Sequence, residues 1–231
     1  MAWKRSSFRQ RNSTEICVLT IRGRSKYRKA HSTLLGVTPH KVQNMKETFE
    51  KFKIWLKENY EDGLKDLNPP ATEDEIKLLE QTLGCSLPKD FIECLKIHNG
   101  QGNMAGGIFD GAEFLSASRI IDEWSVWKEL LDSGDFDDYE SEPDEGIKSD
   151  WWNPKWIPFT SNGAGDHFCI DVDPEKQGSA GQIITMWHDS AERELLADSF
   201  STWFSFYVSE ILKGKYAYSD DYGFIVPIED L

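Results

Sequence analysis

The chain has 231 residues, a formal net charge of −14 at pH 7 and an aromatic content of 13%. This aromatic content argues against disorder, because disordered chains lack the side chains that bury surface area. No apolar run approaches the roughly 18 residues that a membrane span requires, so the sequence predicts a soluble protein with no membrane partner.

The charge is divided unequally along the chain. Residues 1–44 contain ten Lys or Arg and one acid, whereas residues 45–231 contain 16 basic and 39 acidic residues. The predicted organisation is a basic N-terminal extension, 1–44, followed by a single folded domain, 45–231. We expect the extension to be disordered or absent from the native protein, with translation beginning at Met45.

The acidic domain indicates the kind of partner to expect. It repels nucleic-acid phosphates and anionic lipid, which favours a basic protein as partner and argues against direct nucleic-acid binding. Four cysteines, Cys17, Cys85, Cys94 and Cys169, form no C-x-x-C pair, which is typical of reduced thiols in the cytoplasm. No cofactor is predicted, and the oligomeric state stays open.

Helical periodicity and capping residues predict the first helices of the domain. One helix begins at Met45 and ends near Tyr60. A second follows a capping box formed by Thr72 and Glu75, and Gly84 stands where a left-handed cap would end it.

Three further helices follow the same rules. Pro88 occupies a first helical position in a helix closed by Asn99-Gly100. The next spans Ala117 to about Asp132, and the last has Ser199 as its N-cap and ends at Gly214.

Five short extended segments are predicted. Two precede the helix that begins at Ala117, and three lie between that helix and the last one. They cover residues 107–110, 112–115, 156–159, 167–173 and 182–188. Residues 167–173 alternate, so Phe168, Ile170 and Val172 should face one way while His167, Cys169, Asp171 and Asp173 face the other. Helices followed by consecutive strands and another helix predict a single α+β domain with a mainly antiparallel sheet backed by helices.

The acidic segment, defined as residues 132–150, contains nine acids and one lysine and is predicted to be a loop. Aromatic residues lie inside and beside it, and aromatic side chains ringed by charge are typical anchors of protein interfaces. The alternative is an ordinary solvated loop. The predicted partner-binding residues are Asp135, Phe136, Asp137, Asp138, Tyr139, Glu140, Glu142, Asp144, Glu145, Trp151 and Trp152.

Catalytic motifs are not found. Residues 100–107 are glycine-rich but follow a helix, whereas a dinucleotide-binding loop follows a strand, so a turn is the better interpretation. A metal-dependent hydrolase that uses His167, Asp171 and His188 is an alternative, although polar groups on a sheet face are the commoner explanation. The sequence therefore predicts no catalytic residue and no metal site.

A series of short motifs lies within about residues 67–225. They are Leu87-Pro88, Phe91, Leu95, Asn99-Gly100, Trp156-Ile157-Pro158-Phe159, Gly163-Ala164-Gly165-Asp166, Cys169-Ile170-Asp171, Gly181-Gln182-Ile183, Trp187-His188-Asp189 and Leu196-Ala197-Asp198-Ser199-Phe200 with Trp203. In this order they resemble the SUKH superfamily, and more closely its bacterial branch related to the yeast cell-wall-assembly regulators. The basic extension and the long acidic segment depart from that pattern.

The resemblance implies a curved sheet backed by helices, structural roles for the shared glycines and Trp187, and no catalytic residues. Bacterial members of this family are immunity proteins that neutralise toxin domains, often nucleases, and fungal relatives are scaffolds in cell-wall signalling. The predicted function is therefore a non-enzymatic immunity protein that binds a basic, nuclease-type toxin domain. The alternative is an interaction scaffold in cell-wall synthesis or stress regulation.

Overall fold

The computed structural model describes residues 44–231, within one compact unit that spans Thr38–Leu231. The prediction for residues 1–44 therefore lies outside the described residues, except for Asn44, whose side chain caps the first helix. The helices are α1 (Met45–Asn59), α2 (Glu61–Lys65), α3 (Glu73–Leu83), α4 (Lys89–Leu95), α5 (Ala117–Asp132) and α6 (Phe200–Leu212). None of these helices is both long and apolar enough to cross a bilayer.

Ten short strands complete this part of the chain. They are β1 (Glu113–Phe114), β2 (Glu142–Pro143), β3 (Trp156–Pro158), β4 (Thr160–Ser161), β5 (His167–Asp171), β6 (Gln182–Met186), β7 (Glu192–Arg193), β8 (Leu195–Ala197), β9 (Tyr216–Ser219) and β10 (Phe224–Pro227). A 3-10 turn, Ile228–Asp230, follows β10. The hairpin of β9 and β10 was not among the predicted elements.

The central sheet contains four strands in the order β3-β5-β6-β8, all antiparallel to their neighbours. Its register pairs His167 with Met186 and Asp171 with Gln182. Two-stranded antiparallel sheets are formed by β1 with β4 and by β9 with β10, and β2 pairs with β7 in parallel. The predicted single-domain α+β fold is confirmed.

Local capping signals gave accurate helix boundaries. The Thr72–Glu75 capping box is present, Gly84 has φ 61°, and Ser199 accepts a hydrogen bond from the backbone of Thr202. Pro88 lies one position earlier than predicted, as the N-cap of α4, and α4 ends at Leu95 rather than at Asn99-Gly100.

Asn99 and Gly100 instead join three elements. The Asn99 side chain accepts a hydrogen bond from the N–H of Ala117 at 2.8 Å and donates one to Glu75. Gly100 has φ 70°, and a β-carbon there would lie 2.3 Å from the backbone nitrogen of Ser116. This pair therefore fixes the start of α5, which supports the structural role implied by the family resemblance.

The two sets of side chains on β5 lie on opposite faces of the sheet, as predicted. Every residue of β5 is buried. The ring of Phe168 lies 5.9 Å from Trp203 of α6, whereas His167 accepts a hydrogen bond from Trp127 of α5 on the opposite face. The sheet is therefore covered on both faces, and alternation of residue type did not reveal the second covering layer.

Candidate protein-interaction site

The acidic segment leaves the end of α5 through a series of turns, then pairs with β7 and bonds to β8 at the edge of the central sheet. Its two-residue strand β2 pairs with β7, and the N–H of Glu142 donates to the carbonyl of Ala191 at 2.7 Å. The Asp144 carboxylate accepts a hydrogen bond from the N–H of Leu195 at 2.9 Å. The middle of the predicted loop is therefore attached to β7 and β8.

A second attachment lies at Gly146. Its carbonyl accepts hydrogen bonds from the side chain of Gln182 at 3.0 Å and from the N–H of Glu175 at 3.1 Å. Gly146 has φ 91°, and a β-carbon there would lie 2.9 Å from the α-carbon of Gly178. Only glycine combines this backbone conformation with so close an approach.

The buried guanidinium of Arg193 holds the base of the segment. It donates hydrogen bonds to the carbonyls of Ser190, Glu192 and Trp151 at 2.6, 2.8 and 2.6 Å. It also lies 5.0 Å from the ring centroid of Trp151 and 5.9 Å from that of Trp156. Burial lowers the pKa of Arg193 to about 10. Sequence reasoning missed this residue, because nothing local marks a charged side chain as buried.

Most carboxylates of the acidic segment point into solvent. Within residues 44–231, the ion pairs of this segment are Asp132 with Lys128 and Lys148 with Asp173. Six further carboxylates are exposed and form no ion pair with another described residue. They are Asp135, Asp137, Asp138, Glu140, Glu142 and Glu145.

The four aromatic residues predicted as anchors differ in exposure. Tyr139 is 56% exposed and its ring lies 4.6 Å from that of Trp151, which is half-buried. Phe136 is also half-buried, 5.5 Å from Trp127. Trp152 is only 2% exposed and stacks on Trp127, so its assignment as a surface anchor is wrong.

A shallow open groove of about 380 Å³ lies along the second half of α5 and reaches the first residues of the acidic segment. Its lining combines Trp124 with the charged side chains of Lys128, Glu129 and Asp132. Such an open shape suits a side chain of a protein partner better than an enclosed small molecule. The groove is lined by Trp124, Ser125, Lys128, Glu129, Asp132 and Ser133.

The alternative metal site, His167 with Asp171 and His188, is not assembled. His167 uses both ring nitrogens: Nδ1 donates to the carbonyl of Thr160 at 2.7 Å, and Nε2 accepts from Trp127 at 3.1 Å. Burial lowers the pKa of His167, which favours this neutral form. Asp171 lies at the other end of β5, where its carboxylate accepts a hydrogen bond from Gln182 at 2.9 Å.

The described part of the chain is thus an α+β domain, an antiparallel sheet covered by helices with an acidic aromatic segment attached at one side. The chain belongs to the SMI1/KNR4 family (SUKH-1), whose family model matches residues 70–205. The predicted SUKH membership is thereby confirmed.

Similar proteins come from fungi. The chain is 25% identical over 215 residues to a glucan synthesis regulatory protein of Neurospora crassa, covering 75% of this chain and 40% of that protein. It is 28% identical over 189 residues to the cell wall biosynthesis/cell cycle regulator smi1 of Schizosaccharomyces pombe, covering 76% and 38%. It is 22% identical over 204 residues to the cell wall assembly regulator SMI1 of Saccharomyces cerevisiae, covering 73% and 40%.

The chain therefore spans about two fifths of the length of these curated relatives. The relatives are named as regulators. Their names favour the scaffold alternative over the immunity function that was predicted first from the sequence.

Proposed function

We propose that this chain is a non-enzymatic interaction module in the regulation of cell-wall synthesis, and that its acidic segment binds a basic protein partner. The fungal relatives support the regulatory context. The observation that carries the binding role is the set of six exposed carboxylates without ion pairs among the described residues, in the same segment as the exposed ring of Tyr139.

The two kinds of side chain contribute different parts of the binding. Uncompensated carboxylates accelerate encounter with a basic surface and make the association rate sensitive to salt. Tyr139 supplies apolar area and a hydroxyl at the surface, which slows dissociation once it is covered. The ring of Tyr139 contacts the half-buried ring of Trp151, and this contact reduces the side-chain freedom that Tyr139 would lose on binding.

The test compares two matched variants of the full chain. One replaces the six unpaired carboxylates of the acidic segment with Asn or Gln. The control replaces six other exposed carboxylates that form no ion pair with a described residue: Glu58, Asp74, Glu93, Asp198, Asp220 and Asp221. Both variants lose the same charge, so only the position of the charge differs.

Proteins captured from extracts of the source cells are identified at low and at moderate salt with the wild type and both variants as bait. We expect the same basic proteins with the wild type and the control, and their loss with the acidic-segment variant. A gene deletion complemented by each form, scored by resistance to a wall-degrading enzyme, tests the cell-wall role. Equal capture by all three forms would contradict the binding surface.

The immunity function is the second candidate, favoured by the same unpaired carboxylates. A nuclease toxin must be cationic where it holds phosphates, so this surface could compete with its substrate. Co-expression with a toxin encoded by a neighbouring gene should then restore growth, and the acidic-segment variant should not. Growth arrest despite co-expression of the wild type argues against this function.

A further inference from the structure

One end of the β5–β6 pair gathers three metal-binding side chains that the proposed function does not use. His167 pairs with Met186 across these antiparallel strands, so the residue before β5 and the residues just after β6 share one end of the sheet. These residues are Asp166, His188 and Asp189. One ligand atom from each lies within 4.8 Å of the other two.

Asp166 forms the buried side of this cluster. It is 2% exposed, and its Oδ2 accepts a hydrogen bond from the side chain of Asn162 at 2.9 Å. Its Oδ1 accepts from the N–H of His188 at 3.0 Å and lies 2.8 Å from Nδ1 of the same ring. The Asp166 oxygen and the His188 Nδ1 therefore face one another across a shared proton, and a metal ion bound by both atoms would replace that proton.

The turn before β5 allows this approach. Gly165 has φ 102°, and a β-carbon there would lie 3.1 Å from Cβ of His188. Glycine thus lets His188 lie against the turn. His188 and Asp189 are both exposed, so an ion can reach the cluster from solvent while Asp166 closes it from below.

We propose that Asp166, His188 and Asp189 form a zinc-binding site. One imidazole nitrogen with two carboxylate oxygens suits Zn²⁺ better than Ca²⁺ or Mg²⁺, which prefer ligand sets made of oxygen alone. Water would complete the tetrahedral coordination. The set differs from the alternative considered from the sequence, because β5 and β6 place Asp166 and Asp189 beside His188 and keep His167 and Asp171 away.

Zinc titration of the metal-free full chain tests the site. Isothermal calorimetry with Zn²⁺ alone should give one ion per chain with a Kd of about 10 μM or tighter. His188→Asn and Asp189→Asn should each weaken binding at least about tenfold. At the same zinc concentration, the melting temperature of the wild type should also rise by more than that of either variant.

Two controls separate this site from other histidines and from general charge. Asp198→Asn removes an exposed carboxylate elsewhere and should leave zinc binding unchanged. His31 and His40 lie outside the described residues, and their joint replacement by Asn should likewise leave it unchanged. If the Asp166–His188 hydrogen bond is purely structural, the wild type will bind no stoichiometric zinc, although the variants will still be less stable than the wild type. That result, or equal zinc affinity of the His188 and Asp189 variants and wild type, would overturn the proposal.

Discussion

Asp171 is a buried carboxylate whose ionisation opposes folding. Burial raises its pKa from 3.8 to about 6, although hydrogen bonds from Asp173 and Gln182 act in the opposite direction. The folded chain therefore binds this proton more tightly than the unfolded chain. The resulting stability is complete below about pH 4 and is lost as the pH rises through about 6.

The variant Asp171→Asn keeps the shape and removes the titration. We expect the stability of the wild type relative to this variant to fall by about 2 kcal/mol between about pH 4 and pH 7. Urea unfolding at several pH values measures the difference, and Asp198→Asn controls for the loss of one carboxylate. A difference between wild type and Asp171→Asn that stays constant over this interval would contradict the assignment.

Arg193 shows what a buried charge does when its partners are carbonyls. Replacing it with Met leaves the carbonyls of Ser190, Glu192 and Trp151 without their donors, so we expect a loss of about 2–4 kcal/mol in unfolding free energy. Arg119→Met is the comparison, because that side chain is 39% exposed and pairs with Glu113 and Glu123 near solvent. Denaturant unfolding measures the loss of unfolding free energy in both variants. An equal or larger loss in Arg119→Met would refute the role given to Arg193.

For single residues, the sequence indicated which types could form a binding site but did not indicate which of them are buried. Trp152 and Tyr139 looked alike as aromatic residues beside acids, yet one is in the core and the other is exposed. The difference depends on Trp127, which lies about one turn from the end of α5 and stacks on Trp152. A contact of this kind joins distant parts of the chain, so no local pattern contains it.

At the scale of elements, local chemistry decided which predictions succeeded. Helix starts and ends depend on neighbours within four residues, and the capping residues of α3 and α6 could be read directly. The β2–β7 pair has only two residues in each strand, too few for any periodicity. Its position is set by Arg193 and Gly146, so the attachment of the acidic segment could not be predicted.

Two glycines with positive φ test that attachment. Gly146→Ala combines strain with a close approach to Gly178, whereas Gly163→Ala meets no atom within 4 Å and bears only the strain of φ 74°. We expect Gly146→Ala to cost more stability, with Gly163→Ala costing about 1 kcal/mol.

Hydrogen exchange measures the local consequence of each substitution. Gly146→Ala should speed exchange of the backbone amides of Glu142 and Asp144, which bond to β7 and the residue before it. Gly163→Ala should leave those two amides as they are in the wild type. Unchanged exchange in Gly146→Ala would mean that Gly146 does not hold the acidic segment.

The whole molecule carries far more negative than positive charge. Residues 45–231 contain 39 acids and 16 bases, and many of the ion pairs that form join residues three or four positions apart at the surface. Such pairs contribute little to stability. The folded domain is therefore stable because of its aromatic core and in spite of repulsion among its carboxylates, which a basic partner would relieve.

Salt should relieve the same repulsion. Raising NaCl from about 20 mM to about 500 mM shortens the screening length to a few ångströms, so we expect the melting temperature of the full chain to rise. A gain of about 1 kcal/mol corresponds to about 2–4 °C for a domain of this size.

The acidic-segment variant should melt higher than the wild type at low salt and gain less from added salt, because its repulsion is already reduced. The control variant should gain an intermediate amount, since its six substitutions come from several parts of the sequence rather than from one acidic run. A wild-type melting temperature that falls with salt would show that attractive pairs outweigh repulsion, and the acidic segment would then lack the uncompensated field on which its binding role depends.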